Sequence, residues 1–399
     1  MRDVVIVDGA RSAFTKFGGS LKAYASVDIA TLVVNDLLKR TGILDKGKVD
    51  SLMAGCALGD MKTKDIARYI VLQSKLPMET SGTFVEMQGG SAIAGLNHAA
   101  WKIKAGMSEV AIVGGMESYS TFTAKFPMCR PQYKFIAPYA LKPEHTPNKE
   151  RDLDRSSLDD KMAAEWGITR EQADTYAARS QERLAQAYKK GITGDEIVPI
   201  VIPATRKTPE IVINKDDSPC PDITAEELSK LQPVNQSGIT TTGNSTGLND
   251  GAAFMLVMTA EKAQELGYRP IARWVTGAHC GVREDYTGIA PAYSNLKAIK
   301  QAGLKLEDID VIECNEVSAA ENLAVISEMK KQTGKKIDQE KWNPNGGAIA
   351  IGNPNAASGA RMTMFAMRQL EQTSGKYGMA STCCAGGQGA TVIIENLRH

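Results

Sequence analysis

Histidine is scarce in this chain. Its 399 residues include only His98, His145, His279 and His399, so any step that needs an imidazole must draw on these four. A surplus of charge is missing as well. Lysine and arginine number 47 against 46 acidic residues, which leaves no electrostatic footprint for a nucleic-acid partner. No run stays apolar for the roughly 18 residues a membrane-spanning helix needs, so no membrane role is expected. The opening "MRDVVIVDGARSAF" reads as strand and turn, without the apolar stretch of a signal peptide. Seven cysteines, an odd number without metal-ligand spacing, point to a reducing, cytoplasmic setting and no metal site. The adjacent pair Cys383–Cys384 is not a zinc motif.

What is present is alternation. "VVIVDGA" reads as a strand, and "VDIATLVVNDLLKRTG" as a helix ending at a glycine cap, Gly42. "VDSLMAGC" is a buried strand, "SAIAGLNHAAWKIKAG" a helix ending at Gly106, and "EVAIVGG" the next strand. This order predicts an α/β fold. It also returns: Ser294–Asn315 mirrors Asn35–Cys56 as helix, glycine, acidic linker and hydrophobic strand. "GNPNAASGARMTMFAMRQL" and "GMASTCCAGGQGATVIIEN" then mirror the helix after Gly89 and the strand ending at Gly114–Gly115. The chain therefore reads as an internal duplication. The expected division is residues 1–119 with 243–269 as one half, 270–399 as the other, and 120–242 as an inserted loop domain. That insertion contains a helix with Thr169 at its start and Gly191 at its end.

Five places invite chemistry. The turn "EMQGGSAIAG" sets Gly89 and Gly90 before a helix, and Asn353 in "GNPNAASGA" holds the corresponding place in the second half. Two such helix starts brought together would offer free N–H groups to a thioester oxygen; alternatively they are ordinary turns. In "STCCAGGQG", Cys383 meets the glycines Gly386 and Gly387 as an acid/base thiol or as a small buried hydrophobe. Asn315 in "ECNEVSAA" either orients an oxyanion or water, or satisfies a turn. "TTGNSTGLNDGAA" has small and hydroxyl residues that let a ligand approach the backbone, or that cap a buried helix. Of the histidines, His98 is expected in the core and His279 at a strand end away from the cleft. Cys56 is expected to be buried.

Together these places resemble the thiolases, enzymes that make or cleave 3-ketoacyl-CoA. The resemblance runs nearly end to end through "GARSAFTKFGGSL", "GGMESYS", "GNSTGLNDGAA", "ECNEVSAAENLA", "NPNGGAIAIGNPNAASGAR" and "CCAGGQGA". It implies the duplicated α-β-α-β-α layered core, with the insertion covering the CoA site. The family's acyl-accepting cysteine falls on Gly89, and the histidine of its G-H-P motif on Asn353. Its second cysteine matches Cys383, and the asparagine of its N-E-A-F motif matches Asn315. Gly90, Gly386 and Gly387 fall in the oxyanion-binding turns. Ser318 replaces a phenylalanine of the pocket wall. Ser245, Thr246 and Gly247 fall in the CoA-binding segment. Arg155–Ser156 replaces a Met-Gly pair, and Cys220 stands where the family often has an arginine against the adenine.

Glycine carries no acyl group and asparagine is no base at neutral pH. The resemblance thus implies an acyl-CoA C-acyltransferase of Claisen or retro-Claisen type with an altered site. CoA thioester is its substrate, and no resident cofactor is expected. The alternatives are a non-catalytic acyl-CoA-binding subunit and an engineered inactive variant. The resemblance also implies a homodimer or homotetramer, with a small zinc-ribbon/OB-fold protein as the alternative partner.

Overall fold

The computed structural model describes residues 2–59, 62–127, 137, 139–204, 206 and 208–398. His399 and part of the inserted segment lie outside the described residues. Nine longer strands carry the fold: β1 (Val4–Ser12), β2 (Ser51–Gly55), β3 (Ser81–Val85), β4 (Val110–Glu117), β5 (Asn249–Thr259), β6 (Ala272–Gly281), β7 (Ile309–Cys314), β8 (Tyr377–Cys384) and β9 (Gln388–Asn396). The main helices are α1 (Ser26–Thr41), α2 (Ile66–Gln73), α3 (Ser91–Lys104), α4 (Arg155–Glu165), α5 (Arg170–Lys189), α6 (Ala290–Ala302), α7 (Ala319–Thr333) and α8 (Ser358–Thr373).

The strands form one mixed sheet in the order β7-β8-β9-β6-β1-β5-β4-β2-β3. Its centre is the antiparallel pair β1–β6, with Val4 opposite Trp274. Moving outward, each half repeats the same pairing. β5 in one half and β9 in the other run antiparallel to their inner neighbours. β4 and β8 are antiparallel again, and then β2 and β7 add on in parallel. The duplication read from the repeated order is thus the pairing scheme of the sheet.

Three apolar clusters separate the layers. One, with Ile93, Leu96, Met362 and Phe365, sits around α3 and α8 between the halves. A second packs α1 and α2 on the first half through Ile29, Val33, Leu37 and Ile70. The third packs α5, α6 and α7 on the second half through Tyr176, Ile299, Val325 and Met379. The helix ends follow local chemistry. Gly42 and Gly303 take the left-handed conformation that closes α1 and α6, and Thr169 and Gln172 form a reciprocal capping box at the start of α5.

His98 departs from expectation. It sits on α3 as predicted, but it is exposed rather than in the core. Its ring stacks against Trp101 and His279, with centroids 5.3 and 5.9 Å away. Helix periodicity explains this: His98 and Trp101, three residues apart, share the outer face of α3 between buried neighbours. Cys56 is buried, as expected.

The inserted segment is tied to the core by one buried cation. Arg11, fully buried on β1, pairs bidentately with Asp216 at 2.7 and 2.9 Å and with Glu196 at 2.5 Å. Asp216 also accepts from the Phe14 N–H and from Tyr188 at the end of α5. Two carboxylates facing one guanidinium make this network strong only while it is complete. Arg11→Met is expected to lower unfolding stability by about 3–5 kcal/mol, because both carboxylates are left buried without their counter-ion. Urea denaturation checks this, and a loss under about 1 kcal/mol would show the cluster to be dispensable.

Candidate active site

The two repeated turns meet. The turn before α3 brings Gly89 against the second turn: a Cβ added at Gly89 would lie 2.9 Å from Asn355 Oδ1 and 3.1 Å from the Cys383 carbonyl. Gln88, just before it, is held at φ +48°, a strained conformation for a side-chain-bearing residue. Its amide bonds Glu86 at 2.7 Å, which fixes the turn from the outer side. The Gly90 N–H donates to the Met87 carbonyl at 2.9 Å and so closes the turn itself.

In the second turn, Gly352 takes φ +105° because the Asn249 side chain stands where a Cβ would go, 2.7 Å away. Asn249 then accepts from the Asn353 N–H at 2.9 Å. Asn353 Oδ1 accepts twice, from Asn315 Nδ2 at 3.3 Å and from the Ser358 hydroxyl at 2.6 Å. With that oxygen occupied, the remaining capacity of the Asn353 amide is to donate. Asn315 is anchored by its own N–H to the Ser381 carbonyl, while its side-chain Oδ1 is buried without a partner. Behind the turn, buried Glu117 accepts from the N–H groups of Ala57, Leu58 and Ala356 at 3.0, 3.1 and 3.4 Å and from the Cys56 thiol at 3.1 Å.

Cys383 ends β8 beside these amides. Burial pushes its thiol up to about 12, Glu321 adds to the rise, and Arg155 opposes it. It is therefore a neutral thiol, suited to giving a proton and poorly suited to attack. Its Sγ lies 3.6 Å from Glu321 Oε2 and 3.9 Å from Arg155 Nη1. Arg155 is ion-paired with Glu321 and lies 3.3 Å from Asp159. In the turn after Cys383, Gly386 and Gly387 both take φ +78°. The Gly387 N–H is already donated to Thr287 at 3.0 Å.

Ser318 is buried and caps α7, accepting from the Glu321 N–H at 3.2 Å. A cavity of about 410 Å³ opens beside it, and its lining includes Arg155, Asp159, Ser245, Thr246 and Gly247. The cavity reaches Cys383 through Arg155, whose Nη1 lies 3.9 Å from its Sγ. Cys220 is exposed and outside that lining. Of the described histidines, His98 and His279 meet beside Asn97 on α3, with His279 Nε2 3.3 Å from Asn97 Nδ2, while His145 is exposed and its carbonyl lies 3.2 Å from where a Cβ on Gly386 would stand. Asn355, Asp159 and Glu321 went unread in the sequence. Their only local signals are the spacings Ser318–Glu321 of a capped helix and Arg155–Asp159 across one helical turn.

Comparisons with known proteins identify the family. A model of the thiolase N-terminal domain matches residues 4–261, and one of the thiolase C-terminal domain matches residues 268–396. An acetyl-CoA acetyltransferase of Syntrophomonas wolfei is 35% identical over 402 residues, covering 99% of this chain and 100% of the relative. A 3-oxoadipyl-CoA/3-oxo-5,6-dehydrosuberyl-CoA thiolase of Escherichia coli is 34% identical over 414 residues, covering 100% of both. Among solved structures, the Bacillus anthracis acetyl-CoA acetyltransferase superposes with a TM-score of 0.91 at 33% identity, over 100% of this chain and 99% of that one. Human mitochondrial 3-ketoacyl-CoA thiolase superposes with a TM-score of 0.89 at 29% identity, over 99% of both. The chain belongs to the thiolase family.

Proposed function

We propose that the chain is an acyl-CoA C-acyltransferase that performs Claisen or retro-Claisen chemistry on 3-ketoacyl-CoA without a cysteine at position 89 or a histidine at position 353. The observation that carries this is Arg155, which lines the cavity and at the same time touches Cys383. A CoA thioester entering past Ser245, Thr246 and Gly247 would place its acyl end at Cys383, Asn315 and Asn353. In the cleavage direction, a free CoA gives its thiol proton to solvent in the cavity and attacks C3 of the ketoacyl group as the thiolate. The C2–C3 bond breaks, its electron pair becomes the enolate of acetyl-CoA, and the Cys383 thiol returns a proton to C2. The Asn353 amide and the Gly89 turn supply donors where the oxyanions develop.

The crowding at Gly89 supports natural divergence over a simple deletion of a nucleophile. It also keeps a second reading open, a subunit that binds acyl-CoA and assists a partner such as a zinc-ribbon protein. For self-association we propose a homo-oligomer built on β3. That strand is a sheet edge, and Phe84, Leu72 and Met78 are exposed on and beside it.

Three outcomes follow. Light scattering is expected to give a multiple of the 42.9 kDa chain mass, reduced toward one chain in Phe84→Glu; a wild-type monomer would remove the edge-strand interface. Gly247→Trp is expected to weaken CoA binding by calorimetry about tenfold or more with unchanged melting temperature, since a Cβ there meets nothing within 4 Å. Equal affinity would place the pantetheine elsewhere. Thiolysis of acetoacetyl-CoA is expected to run roughly 10³-fold or more below an ordinary thiolase. Gly89→Cys with Asn353→His is expected to recover little until Asn355→Ala clears the space for the new side chain. Ordinary turnover by the unmodified chain would sink the altered-site reading, and full recovery in the double variant would show that Asn355 is no obstacle.

A further inference from the structure

Beneath Cys383 lies a set of charges that does not balance. Asp159 and Glu321 are 1% and 2% exposed, and among the described residues the cation paired with both is Arg155. Gly288 makes room for Glu321, because a Cβ there would stand 2.2 Å from Oε1. Asp159 Oδ1, Glu321 Oε1 and Arg155 Nε are buried without hydrogen-bond partners. The other charged groups nearby are already committed. Glu316 is held by Tyr176 and Asn343, each at 3.0 Å, and by Ser180 at 2.6 Å. Asp285 pairs with Lys161 and Arg283. The neighbouring thiols of Cys314 and Cys384 are kept neutral by burial. Two buried carboxylates facing one guanidinium are costly to hold charged together, and Asp159 sits farther from Arg155 than Glu321 does. Burial pushes Asp159 well above the usual carboxylate range; Arg155 opposes the rise and Glu321 adds to it.

We propose that Asp159 and Glu321 share one exchangeable proton under Arg155 and relay it to Cys383, taking over proton handling where Asn353 offers no base. The proposal rests on the acyl-CoA reading above. When the enolate collapses, an S–H bond of Cys383 breaks and a C–H bond forms at C2. Glu321 Oε2, 3.6 Å from Sγ, then delivers the shared proton to the thiolate. The pair is left doubly ionised against Arg155, and solvent in the cavity restores the proton. Arg155 is a positioning residue here: it holds both carboxylates and faces the thiolate when that forms.

Two measurements on the full-length protein test this. The first is alkylation of Cys383 by iodoacetamide, followed on its peptide by mass spectrometry from about pH 6 to about pH 9, and it needs no acyl-CoA turnover. Glu321→Gln keeps the shape, removes a facing anion and frees Arg155 for the thiolate, so alkylation is expected to quicken about tenfold or more. Arg155→Met is expected to slow it. Equal rates in the wild type and both variants overturn the coupling. The second is exchange of the acetyl-CoA methyl protons with deuterated water. Asp159→Asn keeps a hydrogen-bond donor but has no transferable proton. It is expected to leave alkylation near the wild-type rate while slowing exchange about tenfold and flattening its pH profile. Exchange unchanged in Asp159→Asn overturns the relay. No exchange in the wild type sinks the carbon-acid reading and the relay with it, while the alkylation rates still decide whether the cluster sets the Cys383 thiol.

Discussion

The close approach of α3 and α8 is the constraint on which the site depends. These helices form the middle layer, and they can touch only because their first turns are built from small residues. A Cβ on Gly359 would lie 2.8 Å from Ile93 Cγ1 and 3.0 Å from its backbone nitrogen. A Cβ on Gly115 would lie 2.0 Å from the Ala356 carbonyl, which is backbone and cannot move aside. These contacts fix how near the Gly89 turn comes to Asn353 and Asn355, and so whether groups from opposite halves can act on one ligand. The sheet supplies the second half of the constraint. Antiparallel pairing of β1 with β6 sets the two halves symmetrically about one line, so the turns at corresponding places must face each other.

Within that frame the electrostatics divide in two. A pair of amides, Asn315 and Asn353, carries no charge at any working pH and can offer a ligand hydrogen bonds alone. A separate group of charges gathers at Cys383, where Arg155 and Glu321 approach its thiol and Asp159 pairs with Arg155. Removed from water, such groups interact more strongly than they would at a surface, and each fixes the protonation of the next. Arg155 links these two aspects of the site, because its stem borders the cavity while its guanidinium is paired inside.

What could be read from the sequence follows from how far each signal reaches along the chain. The strand and helix order, the caps at Gly42 and Thr169, and the repeat of Asn35–Cys56 in Ser294–Asn315 are local patterns, and the fold contains them. The meeting of Gly89 with the second turn needed the repeat to be seen, and Cys383 and Asn315 needed the family motifs. Asn355, Asp159 and Glu321 were not legible, because each acquires its meaning from a partner far away in sequence. Glu321 sits three residues after a serine cap and reads as an ordinary first-turn carboxylate. Only the inserted segment, which lays α4 on α7, places an arginine against it. His98 shows the converse: its surroundings in sequence are apolar, yet the phase of α3 turns it outward.

The same reasoning explains why Arg155 and Glu321 belong together. A lone Glu321 under Cys383 would be a buried anion beside a thiol, which raises the thiol further and costs stability. A lone Arg155 would be a buried cation at the mouth of a site that must pass neutral thioesters. Paired, they cancel at long range and retain a short-range gradient along the Arg155–Sγ–Glu321 line, where one proton shifts the balance. Asp159 makes that balance adjustable, because a second carboxylate lets the cluster hold or release a proton without gaining or losing a residue. A methionine at position 155, as in the pattern this chain otherwise resembles, would leave both carboxylates without a counter-ion. The cation at position 155 therefore complements Glu321 and Asp159 as much as they complement it.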